Sequence, residues 1–305
     1  MDKIEGLVAA PFTPMEPSGG LLTERIPAYY DLLEKNGVAG AFINGSTGEG
    51  VSLTFAEKRR VAESWMKRAR ERQSLRIINL VGGTSYAECI DQARFSESIG
   101  TDAIAILGPY YFKPSNTGVL AEFVARIAES VPRMPVYYYH IPILTGVNLP
   151  MARFLREAAP MVPNLAGIKF THEDFMDFML CLRFQDGQYD MLWGRDENIL
   201  SALVLGARGA VGSTYNYAAP LYLRLIRAFD EGDLATARDL QMASINLISL
   251  LGKYGGMATG KAYMKYIGFD CGPFRLPIKN LSDNDYQKFR ADVGQLGMQE
   301  HFSVV

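Results

Sequence analysis

The sequence predicts an α/β fold, a (β/α)8 barrel with a C-terminal helical extension. Three observations carry this. Short apolar runs alternate with longer amphipathic segments, the runs are continuous rather than alternating in polarity, and the strand–helix unit recurs roughly eight times. Continuous apolar runs suit parallel strands covered on both faces. A doubly wound open sheet shares the first two features, and the count of eight favours the barrel.

In chain order the strand candidates are GLVAA (6–10), GAFIN (40–44), RIINLVG (76–82), AIAILG (103–108), PVYYYH (135–140), LAGIKF (165–170), DMLWG (190–194) and GAVGS (209–213). Helical segments lie between them. The clearest is 54–72, where Thr54 and Glu57 have the spacing of a capping box. Segments 85–99 and 117–130 follow the same logic. Beyond about residue 218 the rhythm changes to mostly helix, including 234–254 and 283–296, which is more than one barrel repeat needs. Residues 1–217 therefore read as the barrel core through strand eight. Residues 218–305 read as the last barrel helix plus an extension of the same domain, since no linker, composition break or low-complexity segment intervenes.

Composition narrows the function. The 305 residues are 48% hydrophobic and 21% charged, which is ordinary for a globular chain. A formal net charge of −2 offers no basic field for nucleic acid. Three scattered cysteines, Cys89, Cys181 and Cys271, form no disulfide framework. The start, MDKIEGLVAAPFTPM, lacks the basic and apolar regions of a signal peptide, and no run is long enough to span a membrane. A cytoplasmic location is the expectation. The three histidines, His140, His172 and His301, have no ligand spacing and no C-x-x-C is present, so no metal site is expected. Nucleotide loops and G-x-S-x-G elbows are also missing.

A (β/α)8 barrel gathers its chemistry at the C-terminal ends of its strands. Here several runs end in polar or glycine-rich clusters: GSTGEG (45–50), Tyr139-His140, Lys169 with Thr171, GRDEN (194–198) and STYNY (213–217). Lys169 stands among apolar neighbours. Desolvation lowers a lysine's affinity for its proton, and a neutral amine attacks a ketone to form an imine. A lysine snorkelling to solvent at a strand end fits the pattern equally well. Alternation places Tyr137 and Tyr139 on one face and Tyr138 on the other. Tyr139 is either a proton relay beside the amine or a packed strand residue. The GSTGEG turn is either an anion-binding nest, with Ser46 and Thr47 adding donors, or a tight loop whose glycines adopt positive φ. His172 and the HED run read as polar residues opening a helix, and His140 as a hydrogen-bonded structural histidine or, alternatively, a group that assists the chemistry.

Taken in order, GSTGE, YYYHIP, GIKFT, GRDE and GSTYN resemble the N-acetylneuraminate lyase and dihydrodipicolinate synthase superfamily, Schiff-base aldolases on a (β/α)8 barrel. The resemblance covers nearly the whole chain. It implies that Lys169 forms the imine, that Tyr139 relays a proton, and that Ser46 and Thr47 hold the pyruvate-derived carboxylate. The paired Tyr110 and Tyr111, in GPYYFKP, match a position where a tyrosine reaches a neighbouring subunit's site, and Tyr111 is the one expected to do so. The synthase branch has an arginine before the Thr-Gly that follows this tyrosine. Leu144 stands there, and a leucine cannot hold a second carboxylate. Thr171, Gly194, Asp196, Glu197 and Ser213 match the lyase branch, whose hydroxyls and carboxylates suit a polyol tail. The resemblance thus implies cleavage of N-acetylneuraminate (sialic acid) to N-acetylmannosamine and pyruvate by a homotetramer, with no cofactor. Another 2-keto-3-deoxy sugar acid aldolase or dehydratase is the alternative, and a non-catalytic ligand-binding relative a third.

Overall fold

The computed structural model describes residues 2–305. Eight strands follow one another around a closed barrel: β1 (Gly6–Ala9), β2 (Gly40–Ile43), β3 (Arg76–Leu80), β4 (Ala103–Leu107), β5 (Val136–His140), β6 (Leu165–Phe170), β7 (Asp190–Trp193) and β8 (Gly209–Gly212). Every neighbouring pair is parallel, and β8 closes on β1 with Gly6 opposite Gly209 and Ala9 opposite Gly212. The open-sheet alternative is excluded. Most strands stop one or two residues before the predicted run does, where the chain leaves the ladder to build the mouth.

The helices are α1 (Ile26–Lys35), α2 (Phe55–Arg72), α3 (Tyr86–Ile99), α4 (Thr117–Ala128), the single turn α5 (Pro142–Thr145), α6 (Met151–Ala158), α7 (Phe175–Arg183), α8 (Ile199–Leu205), α9 (Tyr215–Asp230), α10 (Leu234–Lys253), α11 (Met257–Tyr266) and α12 (Asp283–Gln295). The predicted capping box forms: Thr54 Oγ1 accepts from Glu57 N at 3.3 Å, and Glu57 Oε2 accepts from Thr54 N at 2.8 Å. The HED run opens a helix as expected, with Asp174 capping α7 through Asp177 N at 2.9 Å. Helix α9 begins at Tyr215, so a division at residue 217 falls within its first turn. Helix α10 packs along α9 and against the 196–198 turn.

Two apolar layers result. The larger fills the space between sheet and helices and takes the outward strand residues, Tyr138 and Ile168 among them. The smaller fills the barrel interior with Val8, Phe42, Ile78, Tyr137, Tyr139, Leu192 and Val211. The predicted split of the tyrosine run is therefore observed. Its two inward members part at opposite ends of the strand. Tyr137 donates to Asp190 Oδ2 at 2.8 Å, at the start of β7, and closes the barrel floor. Tyr139 lies two residues nearer the mouth.

Candidate active site

Lys169 is 4% exposed and turns into the barrel. Its Nζ lies 4.0 Å from the centre of the Phe42 ring and 4.1 Å from that of Tyr139. Strand register sets the meeting, since Tyr139 is the residue opposite Lys169 on β5. Regular alternation along β6 would not put the amine inside. Leu165 and Ile168 both face the outer layer although three residues apart. A bulge supplies the phase change: Val136 pairs with Leu165 but Tyr137 pairs with Gly167, leaving Ala166 extra. Past it, Ile168 faces out and Lys169 in.

Burial lowers the Lys169 amine to about 7, against an opposing pull from the Asp196 charge. The amine is thus substantially neutral near physiological pH. Burial pushes the Tyr139 phenol up to about 12, with the Ser46 and Thr171 hydroxyls favouring its ionised form and Asp196 disfavouring it. Phe42 packs edge-on against Tyr139 at 5.4 Å and walls the other side of the amine.

The 45–50 loop differs from expectation. Its left-handed residues are Asn44 and Glu49, not glycines. The glycines serve close approach instead: a Cβ on Gly50 would lie 1.8 Å from the Asn44 carbonyl oxygen, and one on Gly48 3.0 Å from that of Pro11. Asn44 is held by its Nδ2, which donates to Asn79 Oδ1 at 2.8 Å. Glu49 is held by Lys261 Nζ at 2.9 Å and by the Arg275 backbone N–H at 2.8 Å. Within this buried turn only Ser46 and Thr47 are half-buried, so theirs are the side chains left to meet a ligand.

Asp196 and Glu197, adjacent in sequence, divide the work. Asp196 is 5% exposed; its Oδ2 accepts from Thr214 Oγ1 at 2.6 Å and Thr214 N at 3.0 Å, while Oδ1 has no partner among the described residues. Burial raises its carboxyl to about 6, with Thr214 opposing and Glu197 adding to the rise. Its carbonyl accepts from Gln241 and Ser244 of α10, both at 3.3 Å. Glu197 is half-buried and ion-paired to Arg195 at 2.7 Å. Two glycines make room: a Cβ on Gly212 would fall 1.9 Å from Asp196 Oδ1, and one on Gly194 1.9 Å from Thr171 Oγ1. Thr171 Oγ1 is buried and makes no hydrogen bond of good geometry among the described residues. Ser213 is half-buried directly after β8, its carbonyl anchored by Asn216 Nδ2 at 2.7 Å.

Tyr111 stands apart from this group. It is 76% exposed and packs edge-on against the equally exposed Phe112 at 5.1 Å. Leu144 is exposed as well. The reading of His140 as hydrogen-bonded is corrected: it is buried with neither ring nitrogen partnered, and it packs instead against Phe170 at 5.1 Å and His172 at 5.5 Å. Burial accordingly lowers its imidazole to about 3. Thr214, Arg195 and Glu49 sat inside the sequence motifs without being singled out. Lys261, Gln241 and Ser244 left no signal at all, because they reach the mouth from helices distant in the chain.

A closed (β/α)8 barrel with a buried, near-neutral lysine close to the mouth end of its sixth strand bears the marks of a class I, Schiff-base aldolase. The chain belongs to the dihydrodipicolinate synthetase family, whose model matches residues 3–296. It is 40% identical to N-acetylneuraminate lyase of Gallus gallus over 95% of this chain and 95% of that one. It is 39% identical to N-acetylneuraminate lyase of Rattus norvegicus over 95% of this chain and 90% of that one. Among solved structures, Proteus mirabilis N-acetylneuraminate lyase superposes with a TM-score of 0.93 at 38% identity, covering 97% of this chain and 99% of that one.

Proposed function

We propose that this enzyme cleaves N-acetylneuraminate to N-acetylmannosamine and pyruvate, reversibly, with Lys169 as the imine-forming residue. The observation that carries the reading is the buried amine, lowered to about 7 and placed by strand register against the Tyr139 ring. The likeness to lyases of this name over nearly full length supports the choice of substrate.

In this reading the neutral Lys169 amine adds to the C2 ketone of the open-chain sugar acid. Loss of water with uptake of one proton from solvent leaves a protonated imine, with the carboxylate held at Ser46 and Thr47. A phenol pushed up to about 12 is not ionised at neutral pH, so Tyr139 acts as a relay rather than a free base. It takes the proton of the C4 hydroxyl while passing its own to the substrate carboxylate. The C3–C4 bond breaks, its electrons enter the imine, and the aldehyde N-acetylmannosamine departs. The enamine that remains is protonated at C3, and hydrolysis of the imine frees pyruvate and the amine. Thr171, the Gly194 backbone, Asp196, Glu197 and Ser213 would meet the polyol tail. An exposed leucine at position 144 offers nothing to a second carboxylate, which favours this substrate over a dicarboxylic one. The exposed Tyr111–Phe112 pair fits an assembly, a homotetramer in our reading, in which Tyr111 enters a neighbouring copy's mouth. No helix of the described residues is long and apolar enough to cross a membrane, and we place the enzyme in the cytoplasm.

Borohydride trapping with N-acetylneuraminate, followed by peptide mass mapping, tests the proposal. A reduced pyruvyl adduct on Lys169 is expected, and Lys169→Ala should form none. Trapping with pyruvate but not with N-acetylneuraminate would refute the substrate and leave the imine chemistry standing.

A further inference from the structure

Arg195 lies between two residues assigned to the tail, Gly194 and Asp196, and has no role in the reaction above. Its side chain is 22% exposed, and one nitrogen, Nη2, bridges two carboxylates: Glu173 at 2.6 Å and Glu197 at 2.7 Å. These come from different loops. Glu173 follows β6, four residues past Lys169, and Glu197 follows β7. Under this bridge the same two loops touch through Thr171 and Gly194, so close that a side chain at 194 is excluded. The arginine's backbone is fixed too, since Trp193 Nε1 donates to its carbonyl at 2.7 Å. The segment is therefore pinned at Arg195 from the β7 side and at Asp196 by Thr214.

We propose that Arg195 is a positioning residue for tail recognition: its Nη2 clamps Glu197 against Glu173, so that Glu197 meets the polyol in one fixed orientation. This rests on the functional reading above. A glutamate on a loop has several rotamers, and ordering it when substrate arrives costs affinity. A charge-assisted pair to an arginine removes that freedom beforehand. The clamp also answers a charge problem. Glu173, Asp196 and Glu197 put three carboxylates at one side of the mouth, and Arg195 is the cation paired among them. Without it an anionic substrate would meet uncompensated negative charge. Pyruvate carries the same carboxylate and keto group as the sugar acid but has no tail, which makes it the internal control.

The test compares wild type with Arg195→Gln and Arg195→Lys in the full-length enzyme. Arg195→Gln should raise KM for N-acetylneuraminate about tenfold, the order expected for losing one charged hydrogen bond, with kcat changed by less than about threefold. Borohydride trapping of pyruvate on Lys169 should be unchanged, which also shows that the variant is folded. Arg195→Lys keeps the charge and should recover most of the lost KM. Glu173→Gln, which removes only the outer partner, should move KM by no more than about threefold. An unchanged KM in Arg195→Gln overturns the inference. So does a parallel loss of pyruvate trapping, which would make Arg195 a prop of the whole site. A wild type that traps pyruvate but leaves N-acetylneuraminate intact refutes the functional reading instead, and this inference falls with it.

Discussion

The near-neutral amine of Lys169 predicts how its chemistry should depend on pH. Burial moves it from an ordinary 10.5 to about 7, a change worth about 5 kcal/mol at 1.36 kcal/mol for each tenfold step. At pH 7.5 the amine should be about three-quarters neutral, against about one part in a thousand for an ordinary lysine, a gain of several hundredfold in reactive form. The assay is the initial rate of pyruvate trapping on Lys169 across pH 5.5 to 9.5, read by mass mapping. The rate should climb tenfold per pH step below about 7 and level off above it. Asp196→Asn should move the break lower, because the Asp196 charge is what holds the amine up. A rate still climbing tenfold per step at pH 9 would refute the argument from burial. Stability should follow the opposite sign to an ion-paired lysine. The unfolded chain holds this proton up to about 10.5 and the folded one only to about 7, so folding gains as pH rises between them. Replacing the amine, as in Lys169→Met, should accordingly stabilise the fold at pH 7, by up to about 4 kcal/mol.

Tyr139→Phe keeps the ring beside the amine and removes the hydroxyl proposed as the relay. It should lower kcat on the order of 10²–10⁴-fold while pyruvate trapping persists, and an unchanged kcat would take Tyr139 out of the mechanism. Gly212→Ala drives a methyl to 1.9 Å from Asp196 Oδ1. About 1–3 kcal/mol of lost stability is expected in thermal unfolding, with a raised KM for N-acetylneuraminate and intact pyruvate trapping; wild-type values for both would show that Asp196 is free to move. Lys261→Met strands Glu49, whose side chain is 1% exposed, without its cation. It should cost about 3–5 kcal/mol in denaturant unfolding, and Lys261→Met with Glu49→Gln should recover part of that. Equal loss in the single and double variants would show that the charge pairing is not what matters.

Much of this was legible in the chain. Eight apolar runs separated by amphipathic segments are what parallel strands buried on both faces require, and their number favoured a barrel over an open sheet; the pairing of β8 with β1 decided it. That the polar clusters at the ends of those runs share one mouth follows from the rule that strand C-termini build it. The roles expected of Lys169, Tyr139, Ser46, Thr47 and Asp196 came only with the family resemblance. The capping box on α2 was legible because it is a contact between residues three apart.

What pattern could not decide was set by contacts between distant residues. Alternation counted from Leu165 puts Lys169 on the outer face; the bulge at Ala166 reverses it, and a bulge is a property of two paired strands rather than of one. The direction of the Lys169 amine's titration likewise depends on its burial inside the closed barrel, which no local pattern records. Asp196 and Glu197 look equivalent in the chain, but Asp196 is buried and bonded to Thr214, while Glu197 is half-buried and paired with Arg195. The C-terminal extension read only as surplus helix. In the fold, α10 braces the Asp196 carbonyl and α11 supplies the lysine that fixes the 45–50 loop. Local periodicity records which face of an element is apolar. It carries no record of which distant side chain will satisfy a buried charge, and that pairing is what shapes this site.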